Sequence, residues 1–176
     1  MLRALALLAA LLAVPALAQD DGSDLYRQSY AAEARGDYNL AYDALTRLGP
    51  AGGTYVAWLR KGWLHYLAGR HAQAAEAYQR AIALQPGAVE PRLGALLPLM
   101  ALRRWQDAER IGEEALALAP NDFTALSRLA WIHYNQARYA EAEPLYRRAL
   151  AAYPASADVR TRSEERRVGK ECIAVC

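Results

Sequence analysis

The sequence predicts an all-α fold, an α-α superhelix of about four helix-turn-helix repeats, on three observations. Hydrophobic residues make up 54% of the chain, but Ala fills 39 of the 176 positions and Phe only one, so the apolar side chains are mostly small and favour helix. Pro86, Pro120 and Pro154 follow one another at intervals of 34 residues. Within each interval, apolar residues recur at helical spacing in two blocks that a short polar break separates. Such a period is typical of a helical repeat array.

The period divides the chain into four units, which form a domain at residues 19–156. The units are about 22–54, 55–88, 89–122 and 123–156, and residues 157–161 would begin a truncated fifth unit. The predicted helices span residues 24–35, 38–48, 55–68, 71–84, 89–102, 105–118, 123–136 and 139–152. Proline ends the second helix of a unit because its ring cannot continue the hydrogen-bond ladder. The run of Gly and Pro at residues 49–53 predicts a loose junction after the first unit.

Residue types at fixed positions of each unit resemble those of the tetratricopeptide repeat (TPR) family, whose unit is a helix-turn-helix of 34 residues. The residues that match its pattern are Trp58, Gly62, Ala74, Tyr78, Pro86, Ala108, Pro120, Ala130, Ala142, Tyr146 and Pro154. Small residues where two helices cross allow their axes to approach, and the aromatic residue fills the wedge toward the next unit. The third unit departs from this pattern. It has Leu96 where a small residue is usual and Gly112 where an aromatic is usual, which we interpret as a compensating exchange.

The resemblance implies that a protein or peptide partner binds along the concave wall that the first helices of the units build. Carried over to this chain, the partner-binding residues are Tyr26, Tyr30, Arg60, Trp63, Tyr66, Leu97, Arg128, Trp131 and Tyr134. Aromatic residues and Arg dominate interface hot spots. The alternative for any one of them is packing between adjacent helices. The family's carboxylate-clamp subtype is not supported, because Leu59 and Trp63 stand where it uses Lys and Asn.

The sequence predicts no catalytic residue, no metal and no cofactor. His65 and His133 fall at equivalent positions of two units, and we interpret them as packing residues because no His pair has i,i+4 spacing and no Cys is near. With 21 Lys and Arg against 19 Asp and Glu, the chain lacks the positive charge that holds nucleic acid.

The first eighteen residues have the order of a secretory signal peptide. Arg3 precedes an apolar run that reaches Val14, and Pro15 and a small-residue ending at Ala18 follow. The run is shorter than the roughly 20 residues that span a bilayer, so cleavage after Ala18 and no stable membrane span are expected. The Ala- and Arg-rich composition suits a bacterial gene, and the predicted location is the periplasm.

The C-terminal tail breaks the repeat pattern. The run RSEERRVGKEC, from Arg162 to Cys172, resembles the translation of a common short-read sequencing adapter in one reading frame. We therefore expect residues 162–176, with both cysteines of the chain, to be non-native. The alternative is a native, solvated basic tail.

The leading functional hypothesis is an interaction scaffold of the bacterial cell envelope that binds a peptide or protein segment without catalysis. Two alternatives remain open at this point. The repeats could be the N-terminal arm of a longer envelope protein, for example one with an outer-membrane β-barrel, or a regulatory module of a truncated enzyme.

Overall fold

A computed structural model describes residues 22–153, and in this range it confirms the all-α prediction: there are eight α-helices and no strand. The helices are α1 (Ser23–Glu33), α2 (Tyr38–Thr46), α3 (Tyr55–Leu67), α4 (His71–Leu84), α5 (Glu90–Ala101), α6 (Trp105–Leu118), α7 (Phe123–Asn135) and α8 (Tyr139–Ala152). Every predicted helix end lies within two residues of the observed one. The predicted signal peptide, Pro154, the start of a fifth unit and the C-terminal tail lie outside the described residues.

The helices stack in the order of the chain. Each helix packs against the next, and the first helices of neighbouring units also touch, α3 with α5 and α5 with α7. The first helices therefore form a continuous layer, and a ligand for this layer would meet side chains of several units. None of the described helices is long and apolar enough to cross a membrane.

A left-handed residue closes the first helix of every unit. Gly36 and Gly69 have φ of 80° and 72°, and the equivalent residues Arg103 and Ala137 have φ of 55° and 59°. This backbone turn satisfies the last carbonyls of the helix and reverses the chain toward the second helix. Glycine adopts it without the penalty that a Cβ brings.

Proline marks the end of the second helices. α4 and α6 each end two residues before a proline, Pro86 and Pro120. The residues between, Gln85 and Ala119, leave the helical region with ψ of 81° and 85°, which is the conformation that a following proline imposes.

The ring of Tyr78 fills the wedge between the second and third units. A Cβ built on Gly62 of α3 would lie 2.9 Å from Cζ of this ring, and one built on Gly94 of α5 would lie 2.3 Å from Cε1. The two glycines therefore clamp the ring from two helices. The small residues at the other helix crossings, Ala74, Ala108, Ala130 and Ala142, are fully buried.

Leu96 and Gly112, the two residues of the third unit that depart from the repeat pattern, are both buried. Leu96 is fully buried with Ile111 and Leu129. Gly112, which stands where the aromatic is usual, faces Leu129, whose Cδ1 would lie 3.2 Å from an added Cβ. Leu129 of the fourth unit thus packs against the position where the second unit has Tyr78.

The junction that the sequence predicts to be loose is a 3-10 helix, Gly49–Gly53. The ammonium group of Lys61 donates a hydrogen bond of 2.7 Å to the carbonyl of Gly52 and lies 4.6 Å from the centre of the Trp58 ring. Lys61 is buried, and this burial lowers its pKa. One cation of α3 therefore ties the Gly-rich segment to the second unit.

Candidate partner-binding groove

An open cleft of about 520 Å³ lies where the first unit meets the second. Three of the predicted partner-binding residues line it, Tyr30 from α1 and Arg60 and Trp63 from α3. The other lining residues are Glu33, Ala34, Tyr38 and Leu67. The helical layer thus brings one part of the predicted wall together in a single concave surface.

Arg60 is the buried floor of this cleft. Its side chain is 7% exposed, and it forms an ion pair with Glu33 of α1. Its guanidinium also lies 3.3 Å from the hydroxyl oxygen of Ser29 and 3.8 Å below the centre of the Tyr30 ring. Arg60 therefore joins α3 to α1, and its charge is already balanced inside the protein.

Glu33 also orients Trp63, the second aromatic side chain of the cleft. The indole N–H of Trp63 donates a hydrogen bond of 2.7 Å to Oε1 of Glu33, while the other carboxylate oxygen pairs with Arg60. Tyr30, in contrast, leaves 56% of its surface exposed above Arg60. The cleft therefore presents oriented aromatic rings whose polar neighbours are already paired.

The remaining predicted wall residues do not line this cleft. Tyr26 is half-buried against the core of the first two units. Tyr66 lies with its ring centre 5.5 Å from that of His71, and Leu97 is half-buried on α5. These three residues lie on the first-helix layer but have part of their surface covered by neighbours.

The wall residues of the fourth unit also contact other helices. Arg128 donates a hydrogen bond of 2.5 Å to the carbonyl of Leu93, and burial lowers its pKa. Trp131 packs against Trp105 at a ring distance of 5.8 Å. Tyr134 is exposed and packs edge-on against Tyr139 at 5.3 Å. In the fourth unit, Arg128 and Trp131 are thus used for packing, and Tyr134 remains exposed.

Glu33 is the important residue of the cleft that sequence reasoning missed. It occupies the position that holds Tyr66, Met100 and Tyr134 in the other three units. The sequence signal that could have identified Glu33 is that it is the one acidic residue at a repeat position that otherwise holds large apolar side chains. Its role depends on Arg60 and Trp63, which lie about 30 residues away and meet it only through the packing of α1 against α3.

Comparison with known proteins agrees with this architecture. Two sequence models that are each described as a tetratricopeptide repeat match residues 55–87 and residues 99–162, together more than half of the chain. No curated protein matches the sequence.

Solved structures with the same fold include MamA, a thermophilic TPR protein and a peptide-bound TPR domain. MamA is 18% identical with a TM-score of 0.69, and the match covers 75% of this chain and 78% of MamA. The thermophilic TPR protein TTC0263 of Thermus thermophilus is 22% identical with a TM-score of 0.69, covering 83% of this chain and 81% of that one. The first TPR domain of Spaghetti (RPAP3), bound to the HSP90 peptide SRMEEVD, is 21% identical with a TM-score of 0.61, covering 66% and 93%.

These similarities show the fold. The 34-residue period, the paired helices and the two matching sequence models lead to one conclusion: the chain belongs to the tetratricopeptide repeat family.

Proposed function

We propose that this protein is an interaction scaffold of the bacterial cell envelope that binds an extended segment of a partner protein through its aromatic first-helix face. Tetratricopeptide repeats form protein-interaction scaffolds, and this fold is typically non-catalytic. The observation that carries the proposal is the cleft at the first junction, which the exposed Tyr30 and the half-buried Trp63 line above the ion pair of Arg60 and Glu33.

The occupant that suits this cleft is an apolar or aromatic side chain of the partner. Glu33 already satisfies Arg60 and the indole N–H of Trp63, so the floor offers no unpaired charge to a ligand. The exposed ring of Tyr30 and the flank of Leu67 add apolar surface. Because these rings are fixed before binding, little side-chain entropy is lost when a partner docks.

The peptide complex of the RPAP3 domain supports the general mode of binding, because it shows that a domain of this fold can hold a short peptide. The chemistry proposed here differs from a clamp on a terminal carboxylate. In this chain Leu59 and Trp63 replace the Lys and Asn of the carboxylate-clamp pattern.

Selection from a random peptide display library, followed by fluorescence polarisation with the enriched peptides, tests the binding mode. Tyr30→Ala with Trp63→Ala should weaken binding at least tenfold, since two hot-spot rings are lost. Leu84→Ala is the matched control, because Leu84 is an exposed apolar residue at the end of a second helix. Equal affinity of the double variant and the wild type would refute the cleft assignment. Circular dichroism of each variant verifies that helicity is retained.

The envelope setting needs its own measurement. Fusing residues 1–30 to alkaline phosphatase, which is active only after export from the bacterial cytoplasm, should give phosphatase activity. Replacing Ala16 and Ala18 by Arg should prevent cleavage of the leader and leave a larger precursor on a gel. An inactive fusion would exclude export while leaving the binding proposal intact.

A further inference from the structure

A second group of ionisable side chains lies at the junction of the third and fourth units, away from the aromatic cleft. Glu109 comes from α6, His133 from the end of α7, and Glu141 from the first turn of α8. One ligand atom of each residue lies within 4.8 Å of one from each of the other two. Arg138, the residue before α8, also belongs to this group.

His133 points into this group without a hydrogen-bond partner. Its side chain is only 7% exposed, and its Nδ1 has no partner. Nδ1 lies 3.7 Å from Oε2 of Glu141, and Nε2 lies 3.9 Å from Oε1 of Glu109, both beyond hydrogen-bond distance. A buried imidazole nitrogen that faces a carboxylate at this distance is placed to bind a cation between them.

Arg138 holds the place of a cation in this group. Its guanidinium donates two hydrogen bonds to Glu109, of 2.7 and 2.9 Å, and its Nε donates one of 3.0 Å to Glu141. Arg138 thus pairs with both carboxylates at once, so that one guanidinium faces two carboxylates.

We propose that Glu109, His133 and Glu141 form a site for a divalent transition-metal ion, with Zn²⁺ as the fitting example, which Arg138 occupies in the metal-free protein. A divalent ion in place of the guanidinium would balance the charge of the two carboxylates. Imidazole nitrogen and carboxylate oxygen are ordinary zinc ligands at about 2.0–2.2 Å, and a water molecule would complete a tetrahedron. Ligand atoms of such a tetrahedron lie roughly 3.4 Å apart, and one ligand atom from each of the three residues now lies within 4.8 Å of the others, so binding requires them to close by up to about 1.4 Å. The Arg138 side chain is 34% exposed and can turn outward to solvent.

The equivalent position at the junction of the first and second units shows what distinguishes this site. His65 occupies the same repeat position as His133, and its Nδ1 also lacks a partner. Where His133 has Glu109, however, His65 faces the ring of Tyr42 at 4.5 Å, and Gln73 stands where the fourth unit has Glu141. The histidine therefore recurs in the second and fourth units, and the junction of the third and fourth units adds two carboxylates. His65 is for this reason the internal control.

Zinc binding by isothermal titration calorimetry tests the proposal, with the full chain and without an affinity tag. Cys172 and Cys176 are replaced by Ser in every protein, because thiolates are strong zinc ligands. Arg138→Gln removes the competing cation and should bind Zn²⁺ at least tenfold more tightly than the parent protein. Adding His133→Ala should abolish this gain, whereas adding His65→Ala should leave it unchanged. No gain in Arg138→Gln, or a gain that survives His133→Ala, would overturn the proposal.

A second measurement does not depend on the folding of these variants. In the parent protein, nitrogen-15 NMR of the histidine side chains during a Zn²⁺ titration should show the ring nitrogens of His133 shifting before those of His65 and His71. If His133 is unaffected at millimolar Zn²⁺, or if the three histidines shift together, the proposed site is wrong.

Discussion

The clamp on Tyr78 makes the sharpest stability prediction, because two glycine-to-alanine changes in one helical array should have opposite effects. Gly94 lies in α5 and Gly112 in α6, and alanine favours a helix over glycine by about 1 kcal/mol at either site. What differs is the surroundings of the added methyl group. At Gly94 it would lie 2.3 Å from the Tyr78 ring, and at Gly112 it would meet only the end of a leucine side chain at 3.2 Å.

The magnitude follows from how far the neighbours can move. A normal carbon contact of about 3.5 Å requires the Tyr78 ring to retreat by about 1 Å, but Gly62 closes its other side. Overpacking of this kind costs typically about 1–3 kcal/mol, and the clamped ring places Gly94→Ala near the upper end. After the gain in helix propensity, the expected loss is about 2 kcal/mol. At Gly112, Leu129 needs to shift by only a few tenths of an ångström, so Gly112→Ala should be neutral or stabilising by up to about 1 kcal/mol.

Thermal and urea denaturation, followed by circular dichroism at 222 nm, measure both variants against the wild type. A loss of about 2 kcal/mol lowers the melting temperature by roughly 4–8 °C in a chain of this size. Adding Tyr78→Leu to Gly94→Ala should show a favourable coupling energy, because the smaller side chain relieves the clash. The clamp is refuted if Gly94→Ala is as stable as the wild type, or if Gly112→Ala loses as much.

Three further predictions concern charge and backbone. Glu33→Ala leaves the buried Arg60 unpaired and should lower the free energy of unfolding by about 3 kcal/mol. The control is Glu76→Ala, which breaks the exposed pair with Arg80 and should change the free energy of unfolding by less than about 0.5 kcal/mol. Equal losses of the two variants in urea denaturation would contradict the importance of the buried pair. Arg103→Gly should stabilise the protein by about 1 kcal/mol, because Arg103 has φ of 55° and glycine adopts this conformation freely. A melting temperature below that of the wild type would argue against strain at this turn. Arg138 holds the pKa of Glu109 and Glu141 below the ordinary value of 4.5, so the stability that these carboxylates contribute is present above pH 4.5 and is lost as the pH falls through their folded values. The melting temperature of the wild type should accordingly fall more steeply below pH 4.5 than that of Arg138→Gln, and parallel curves would contradict this linkage.

Most of the fold could be predicted from the sequence, because a repeat array depends on contacts between neighbours along the chain. The prolines at 34-residue spacing and the helical periodicity of the apolar residues predicted eight helices with ends correct to within two residues. Local chemistry is sufficient for this, since a residue before proline leaves the helix and small residues allow close crossings. The segment at residues 49–53 is the exception, because its order depends on a lysine from the following helix.

The candidate sites could be predicted only in part. Position in the repeat identified Tyr30, Arg60 and Trp63 as members of one face, but it could not distinguish an open ring from a packed one. Tyr30 and Trp131 occupy the same repeat position, yet Tyr30 is 56% exposed and Trp131 is half-buried against Trp105. This difference arises from the neighbouring helix, whose side chains the repeat pattern does not fix.

The sequence by itself determined the period and the helix ends, because each depends on residues within one or two helical turns. Only the tertiary structure decided which charges meet. Glu33 reaches Arg60 and Trp63 across about 30 residues, and Glu109 reaches Arg138 across a similar separation. In both cases the helices of neighbouring units bring together side chains at repeat positions that tolerate many residue types, so their pairing becomes visible only after the units have stacked.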